Sequence, residues 1–200
     1  MSATTSLRAT AVVCLAVMAV LGHALWSLTG GLEHWTFESL RRARAAEAGM
    51  RAADVALRDS ADAPLTPWSS SAAVASNQVL VVDFIYTRCP SVCQALGSAY
   101  QQMQAQLETD RIDNVKLLSV SFDLAHDDAA ALSAYGRLHR TQTDHWLLAA
   151  PTSAANAAAL LQSLGVVVIA DGAGGYAHNA ALHLIDSRGR LLAIHDHDDW

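Results

Sequence analysis

Val79-Leu80-Val81-Val82-Asp83-Phe84-Ile85-Tyr86-Thr87-Arg88-Cys89-Pro90-Ser91-Val92-Cys93 is an apolar, β-branched run that gives way to two cysteines four positions apart. Val79 to Tyr86 reads as a buried strand, because its Val, Ile, Phe and Tyr residues suit a sheet covered on both faces. Pro90 suits the first position of a helix, where a missing N–H is no loss. Cys89 then sits at or just before the helix cap and Cys93 in the first turn, so both sulfurs can face one cavity. Unpaired backbone N–H groups and the positive helix end are expected to lower thiol pKa values there, which favours the thiolate that binds metal or attacks a disulfide. Residues one helical turn apart have Cβ atoms about 5 to 6 Å apart, beyond the roughly 4 Å a disulfide wants. Bridging therefore needs local adjustment, and reversible oxidation is expected before a permanent staple.

Outward from this junction, strands and helices alternate. A helix is expected from about Ser91 to Glu108, then the strand Val115 to Ser121, a helix over Ala129 to Leu138 and a short strand at Trp146 to Ala149. A further helix follows from Thr152 to Leu164, with Thr152 or Ser153 as cap and Gly165 at its stop. Ala180 to Ile185 and Leu191 to Ile194 flank Ser187-Arg188-Gly189-Arg190, which is hairpin spacing. Upstream, Val55 to Asp59 and Asp62 to Leu65 read as a short strand, a turn and a return, and Ser69-Ser70-Ser71 marks a loop. The alternation closing on a hairpin describes an α/β sandwich with a central mixed sheet, whose active loops gather at the carboxyl ends of strands, where Cys89 falls.

The 200 residues allow one ordinary domain plus an appendage, and 52% hydrophobic residues supply a sizeable core. A net charge of −6, with no basic cluster beyond Arg41, Arg42 and Arg44, argues against a nucleic-acid partner. From Ala9 to Leu32 there is no Asp, Glu, Lys or Arg; a membrane-spanning helix needs about 20 mostly apolar residues. Residues 1–32 are therefore expected to be an uncleaved N-terminal membrane anchor, although Gly22-His23-Ala24 is a weak cleavage pattern. The flanking arginines do not settle which side the domain faces. Cys14, inside the anchor, reads as a small buried hydrophobe. The Ala/Arg/Glu-rich residues 33–54 are expected to form a helical spacer, leaving 55–200 as the domain.

The run Asp83 to Cys93, the segment Ser119-Val120-Ser121-Phe122-Asp123 and His178, placed eight residues before Asp186, together resemble the Sco/SenC family, from Val79 to Ile194 and in the right order. Those are membrane-anchored, thioredoxin-fold copper proteins that help assemble the dinuclear copper centre of cytochrome c oxidase. The resemblance implies a thioredoxin-like fold, one copper ion, Cu(I) or Cu(II), held by Cys89, Cys93 and His178, and Asp123 as an acidic neighbour orienting a ligand. It also implies a copper-receiving oxidase subunit and an upstream copper donor as partners, and a domain facing the extracytoplasmic side of a bacterial inner membrane. Two soft thiolates suit Cu(I), and an imidazole lets the same site hold Cu(II). Gly172 to Gly175 read as a flexible loop able to swing His178 toward or away from the sulfurs. Gln94 stands where the family commonly has proline, the lead-in around Val55 to Leu65 echoes the family only loosely, and the family adds a last helix where this sequence reaches Trp200.

The competing reading is a thiol-disulfide oxidoreductase with Cys89 attacking, Cys93 resolving and no obligate metal. Ordinary thioredoxins use C-x-x-C and a proline opposite the active site, where this chain has Ala177-His178. A peroxidase using Cys89 alone is a third reading. His183, five positions after His178, is expected on the opposite face with a structural role. His126, His139 and His145 read as surface groups, and His195-Asp196-His197-Asp198-Asp199 as an adventitious metal binder at a terminus.

Overall fold

The computed structural model describes residues 3–47, 49–68, 77–90 and 92–196. The chain divides into two compact units between Ala43 and Arg44. In the first, α1 (Ala3–Leu28) contains the apolar span Leu7–Leu28, whose 22 residues are long enough to cross a bilayer and carry none of their surface buried. Helix α2 (Phe37–Ala46) spans the division, its Glu38 paired with Arg41 at 2.6 Å and Arg42 at 3.1 Å. The helix stops well short of residue 54. From Met50 the chain is extended because the sheet takes its backbone groups: Ala52 N–H donates to the Gly189 carbonyl at 2.8 Å and Leu191 N–H to the Met50 carbonyl at 3.0 Å.

The second unit is built on a seven-stranded mixed sheet. Its strands are β1 (Leu57–Asp59), β2 (Pro64–Leu65), β3 (Val79–Ile85), β4 (Val115–Ser121), β5 (Trp146–Pro151), β8 (Leu182–Asp186) and β9 (Leu191–His195), in spatial order β2-β1-β5-β4-β3-β8-β9. β3, β4 and β5 are parallel; β1, β8 and β9 run antiparallel to their neighbours. The parallel crossovers are α3 (Val92–Asp110) and α4 (Ala129–His139), while α5 (Ala154–Ser163) follows β5. This is the α/β sandwich with a mixed sheet expected from the alternation, in the thioredoxin-like form that the resemblance implied. Asp128 caps α4 and Ser153 caps α5, each accepting a first-turn N–H; Gly165, at φ +64°, follows the last turn of α5.

The period-two alternation of β3 divides the core. Leu80, Val82 and Phe84 join Leu118, Val120, Leu160 and Leu164 on the α5 face, whereas Ile85 joins Leu96, Tyr100, Leu117, Leu132 and Trp146 on the α3–α4 face. Each fully buried leucine contributes about 2 kcal/mol of transfer free energy, so both faces hold the central strands firmly. Helices α3 and α4 meet at Gly97. A Cβ there would lie 2.4 Å from the His139 ring, so the imidazole fills the space that the missing side chain leaves.

A second, two-stranded sheet pairs β6 (Val168–Ala170) with β7 (Tyr176–His178). The Gly172–Gly175 segment is thus the tip of a hairpin. Asp171 organises it by accepting from Ala173 N–H at 2.8 Å and Gly175 N–H at 2.9 Å, with Gly172 and Gly174 at positive φ. The Ser69–Ser71 loop lies outside the described residues.

Candidate metal and thiol site

β3 ends at Ile85, and the chain turns so that Cys89 N–H donates to the Tyr86 carbonyl at 3.1 Å. Asp127, buried, fastens this turn: its carboxylate accepts from Thr87 N–H at 2.8 Å, from the Thr87 hydroxyl at 2.6 Å and from the Ser121 hydroxyl at 2.5 Å. Hydrogen bonds to an ionised acceptor are about twice as strong as neutral ones, so the cysteine loop is tied to the end of β4 at a single point. Cys89 and Cys93 are both buried, and neither is in a disulfide. Cys93 N–H donates to Cys89 Sγ at 3.4 Å, and the Tyr135 hydroxyl donates to the Cys93 carbonyl at 2.9 Å. The two sulfurs are thereby brought into one layer with Ile85, Tyr86 and Leu96.

The expected lowering of thiol pKa fails at Cys93. Burial pushes this thiol well above its ordinary value, and the neighbouring Cys89 adds to the rise. The helix end is outweighed because the sulfur sits among apolar side chains that cannot solvate a thiolate. Asp83 shares the same layer. Neither of its buried carboxyl oxygens meets a hydrogen-bond partner; nearby, the Tyr100 hydroxyl donates to the Val81 carbonyl and the Ser119 hydroxyl receives Trp146 Nε1–H. Burial pushes its pKa up to about 7, against the opposing influence of the nearby Ser119 and Tyr100 side chains.

His178 lies at the end of β7, opposite Val168 in the hairpin ladder. Its ring stands edge-on to Phe122 at 5.3 Å, and Phe122 in turn packs on Tyr86 at 5.6 Å and Tyr176 at 5.4 Å. The imidazole thus connects to the cysteine loop through aromatic side chains. Both ring nitrogens are buried without a hydrogen-bond partner, and burial holds the ring below the usual imidazole pKa, hence neutral. Leaving a buried donor or acceptor unmade costs about 1 to 3 kcal/mol, so a ring with both nitrogens orphaned is a candidate ligand in want of an ion. Two thiols and a neutral imidazole are the donor set that suits copper. Among the described residues, no three His, Cys, Asp or Glu side chains are gathered into a metal-holding group; the fold unites the cysteines and sets His178 on a neighbouring element.

Asp123, at the end of β4, is buried and accepts from Arg88 Nη2 at 3.0 Å and from the Tyr176 hydroxyl at 3.4 Å; His126 Nδ1 lies 2.9 Å from its Oδ1. Burial pulls this carboxyl's pKa upward, but the hydrogen bonds of His126 and Arg88 prevail and hold it below the usual carboxylate value. A cleft of about 360 Å³ opens beside it, lined by Tyr86, Arg88, Pro90, Asp171, Gly174 and Tyr176.

The remaining histidines divide. His183 is buried, with Nδ1 3.1 Å from the Val82 carbonyl and its ring edge-on to Phe84, a structural role as expected. His139 is not the surface group anticipated: it is buried between Tyr135 and Trp146, because Gly97 leaves a slot for it that no spacing in the sequence discloses. His126 is half-exposed but engaged with Asp123, and His145 is half-buried at the entry to β5. His195 ends β9 exposed; residues 197–199 of the terminal His/Asp run lie outside the described residues. Sequence reasoning missed Arg88 and Asp127. The only trace of Asp127 was its position four residues after Asp123, on the loop leaving a strand that ends in serine.

The chain is similar to known proteins. A family model described as SCO1/SenC matches residues 69–199. A SCO1 protein homolog from Bacillus subtilis (strain 168) is 25% identical over 117 residues, which are 58% of this chain and 60% of that protein, so the chain spans less than two thirds of that relative's length. Among solved structures, a SCO1/SenC family lipoprotein from Bacillus anthracis str. Ames superposes with a TM-score of 0.65 at 19% identity, over 74% of this chain and 85% of that one. ScoI of Bradyrhizobium japonicum, solved with copper bound, gives 0.59 at 19% identity, over 74% and 90%.

Proposed function

Because the chain belongs to the SCO1/SenC family, we propose that it is a copper metallochaperone. It holds one copper ion through Cys89, Cys93 and His178, and delivers copper to, or reduces the cysteines of, the dinuclear copper centre during cytochrome c oxidase assembly. The observation that carries this reading is the His178 ring, its two nitrogens buried and unbonded, on a hairpin packed through Phe122 and Tyr86 against the cysteine loop. The dithiol favours Cu(I), and the neutral imidazole adds the harder donor that Cu(II) needs. Binding requires reduced cysteines, because only the thiolate is a ligand. The apolar span Leu7–Leu28 tethers the domain to the bacterial inner membrane, facing the extracytoplasmic side, where the receiving oxidase subunit and an upstream copper donor meet it.

Titrating the full chain in detergent with Cu(I) and Cu(II) tests the ligand assignment. Cys89→Ser and Cys93→Ser should each abolish high-affinity uptake, and His178→Ala should weaken Cu(II) more than Cu(I). Stoichiometric copper in the Cys93→Ser protein would refute it.

A thiol-disulfide oxidoreductase reading is favoured by the Cys93 N–H aimed at Cys89 Sγ, an orientation that steadies Cys89 as the attacking sulfur. The dithiol would become a disulfide while a disulfide in the recipient becomes two thiols. Turnover of a disulfide peptide that is unaffected by His178→Ala and by copper chelation would make this the primary activity.

A further inference from the structure

Arg88 precedes Cys89 directly, yet its side chain leaves the cysteine loop and reaches two other elements. Nη2 donates to Asp123 Oδ2 at 3.0 Å, beyond β4, and to the Gly174 carbonyl at 3.5 Å, at the tip of the β6–β7 hairpin. Asp123 also receives the Tyr176 hydroxyl at 3.4 Å, while the Tyr86 hydroxyl donates to the Tyr176 carbonyl at 3.4 Å and lies 3.3 Å from Tyr176 N–H. These hydrogen bonds to the hairpin converge on one guanidinium, one carboxylate and one phenol, beside the packing of Phe122 on Tyr176 and His178. The hairpin itself has only a three-residue ladder and a separate sheet, so the main sheet does not fix it. His178 is the last residue of that ladder.

Resting on the copper reading above, we propose that Arg88 is a positioning residue: anchored on Asp123, it clasps the Gly174 carbonyl and keeps the His178-bearing hairpin seated beside the cysteine loop. Arg88 is 46% exposed at its side chain whereas Asp123 is 1% exposed, so the fixed partner is the carboxylate and the guanidinium is the part that can let go. His126 sharpens the arrangement. Its Nδ1 lies 2.9 Å from both Arg88 Nη2 and Asp123 Oδ1, and one ring nitrogen cannot accept from the first and donate to the second at once. With Nδ1–H donating to Oδ1, Arg88 donates to Oδ2 and not to the ring, so both groups bond the carboxylate and only Arg88 extends the link to the hairpin.

The test uses the full chain in detergent, copper-free and copper-loaded. Hydrogen exchange on the copper-free protein compares wild type with Arg88→Met, which keeps bulk and loses every donor, and Arg88→Lys, which keeps charge with a compact head. Losing a charge-assisted bond corresponds to about a tenfold change in a local opening equilibrium. We expect exchange across Asp171–His178 to rise about tenfold in Arg88→Met and less in Arg88→Lys, with β3 and β4 unchanged. Asp123→Asn, which keeps the shape and loses the charge, should loosen the same segment. In the copper-loaded protein, the imidazole-nitrogen coupling in the Cu(II) magnetic resonance spectrum should weaken in Arg88→Met, while Cu(I) stoichiometry stays as in wild type. Wild-type exchange over Asp171–His178 in Arg88→Met, or a rise spread equally over β3 and β4, would overturn the proposal. A wild-type protein that takes up no copper would instead remove the copper reading and leave the exchange result to decide the role of Arg88.

Discussion

The cysteine loop and the β6–β7 hairpin present the two halves of one candidate site, and they are held in opposite ways. Around Cys89 and Cys93 the loop is bonded to Asp127 twice through Thr87, with Ser121 of β4 holding the same carboxylate, and it is roofed by Tyr135 and sunk in a packed aromatic layer. Around His178 the ladder is three residues long, the tip is exposed, and the bond that reaches the tip carbonyl of Gly174 comes from the half-exposed Arg88 side chain. Local stability in proteins ranges from near zero up to the global value, and the two halves lie toward opposite ends of that range. The sulfurs are thus held within the core of the main sheet, whereas the imidazole sits on a short hairpin outside it.

The contrast can be broken hardest from beneath the sulfurs. Asp83 has a folded pKa of about 7 against an ordinary value of 3.8, so the fold favours its protonated form. That contribution is fully present below pH 3.8 and is lost as pH rises through about 7. Over that window wild-type stability should fall by about 4 kcal/mol relative to Asp83→Asn, since each pKa unit is worth about 1.4 kcal/mol. Denaturant unfolding of both proteins at pH 4 and pH 8 checks it; an equal difference at the two pH values would show that the carboxyl ionises in the fold as readily as in the unfolded chain. Asp186 and Asp123, whose pKa values are lowered, act with the opposite sign as pH falls through their folded values, and the wild-type-minus-variant difference cancels them.

Removing the fastening comes next. Asp127→Ala leaves the Thr87 and Ser121 donors without their acceptor and should cost about 3 kcal/mol, read as a lower denaturation midpoint with an unchanged slope. Gly97→Ala forces a methyl to within 2.4 Å of the His139 ring; overpacking of this kind costs about 2 kcal/mol. The smallest effect belongs to the hairpin. Asp171→Ala removes the acceptor of the Ala173 and Gly175 N–H groups, and we expect the unfolding midpoint to stay in place while amide exchange at the tip accelerates. A shifted midpoint would mean that the hairpin unfolds with the core and that the contrast is false.

The same contrast divides what could be read from the sequence. β3 and β4 were legible to within a residue, because long β-branched runs have few other ways to bury both faces. The cap of α5 was read as Thr152 or Ser153 and is Ser153, whereas Asp128, the cap of α4, was not read. The β6–β7 pair was not legible: Val168-Ile169-Ala170 and Tyr176-Ala177-His178 are too short to carry a period, and the glycines between them read as a loop. The thiols were singled out at the strand-to-helix junction and His178 through the family resemblance, yet the groups packed and bonded around them were not read. Arg88 reaches Asp123 across 35 positions and Thr87 reaches Asp127 across 40, and contacts at that separation leave no local trace. The thiol pKa was misjudged for a related reason, since the helix end is visible in sequence while the apolar layer around Cys93 exists only after folding.

Gly97 gives the α3–α4 contact a further meaning. The spacing of the two helices there is set by the thickness of one imidazole, and α3 carries Cys93 four residues earlier while α4 supplies the Tyr135 hydroxyl that grips its carbonyl. A wedge at this distant seam tilts the sulfur's platform without touching either sulfur. The reach of the dithiol toward an incoming ion is therefore adjustable by a residue that no inventory of ligands would include.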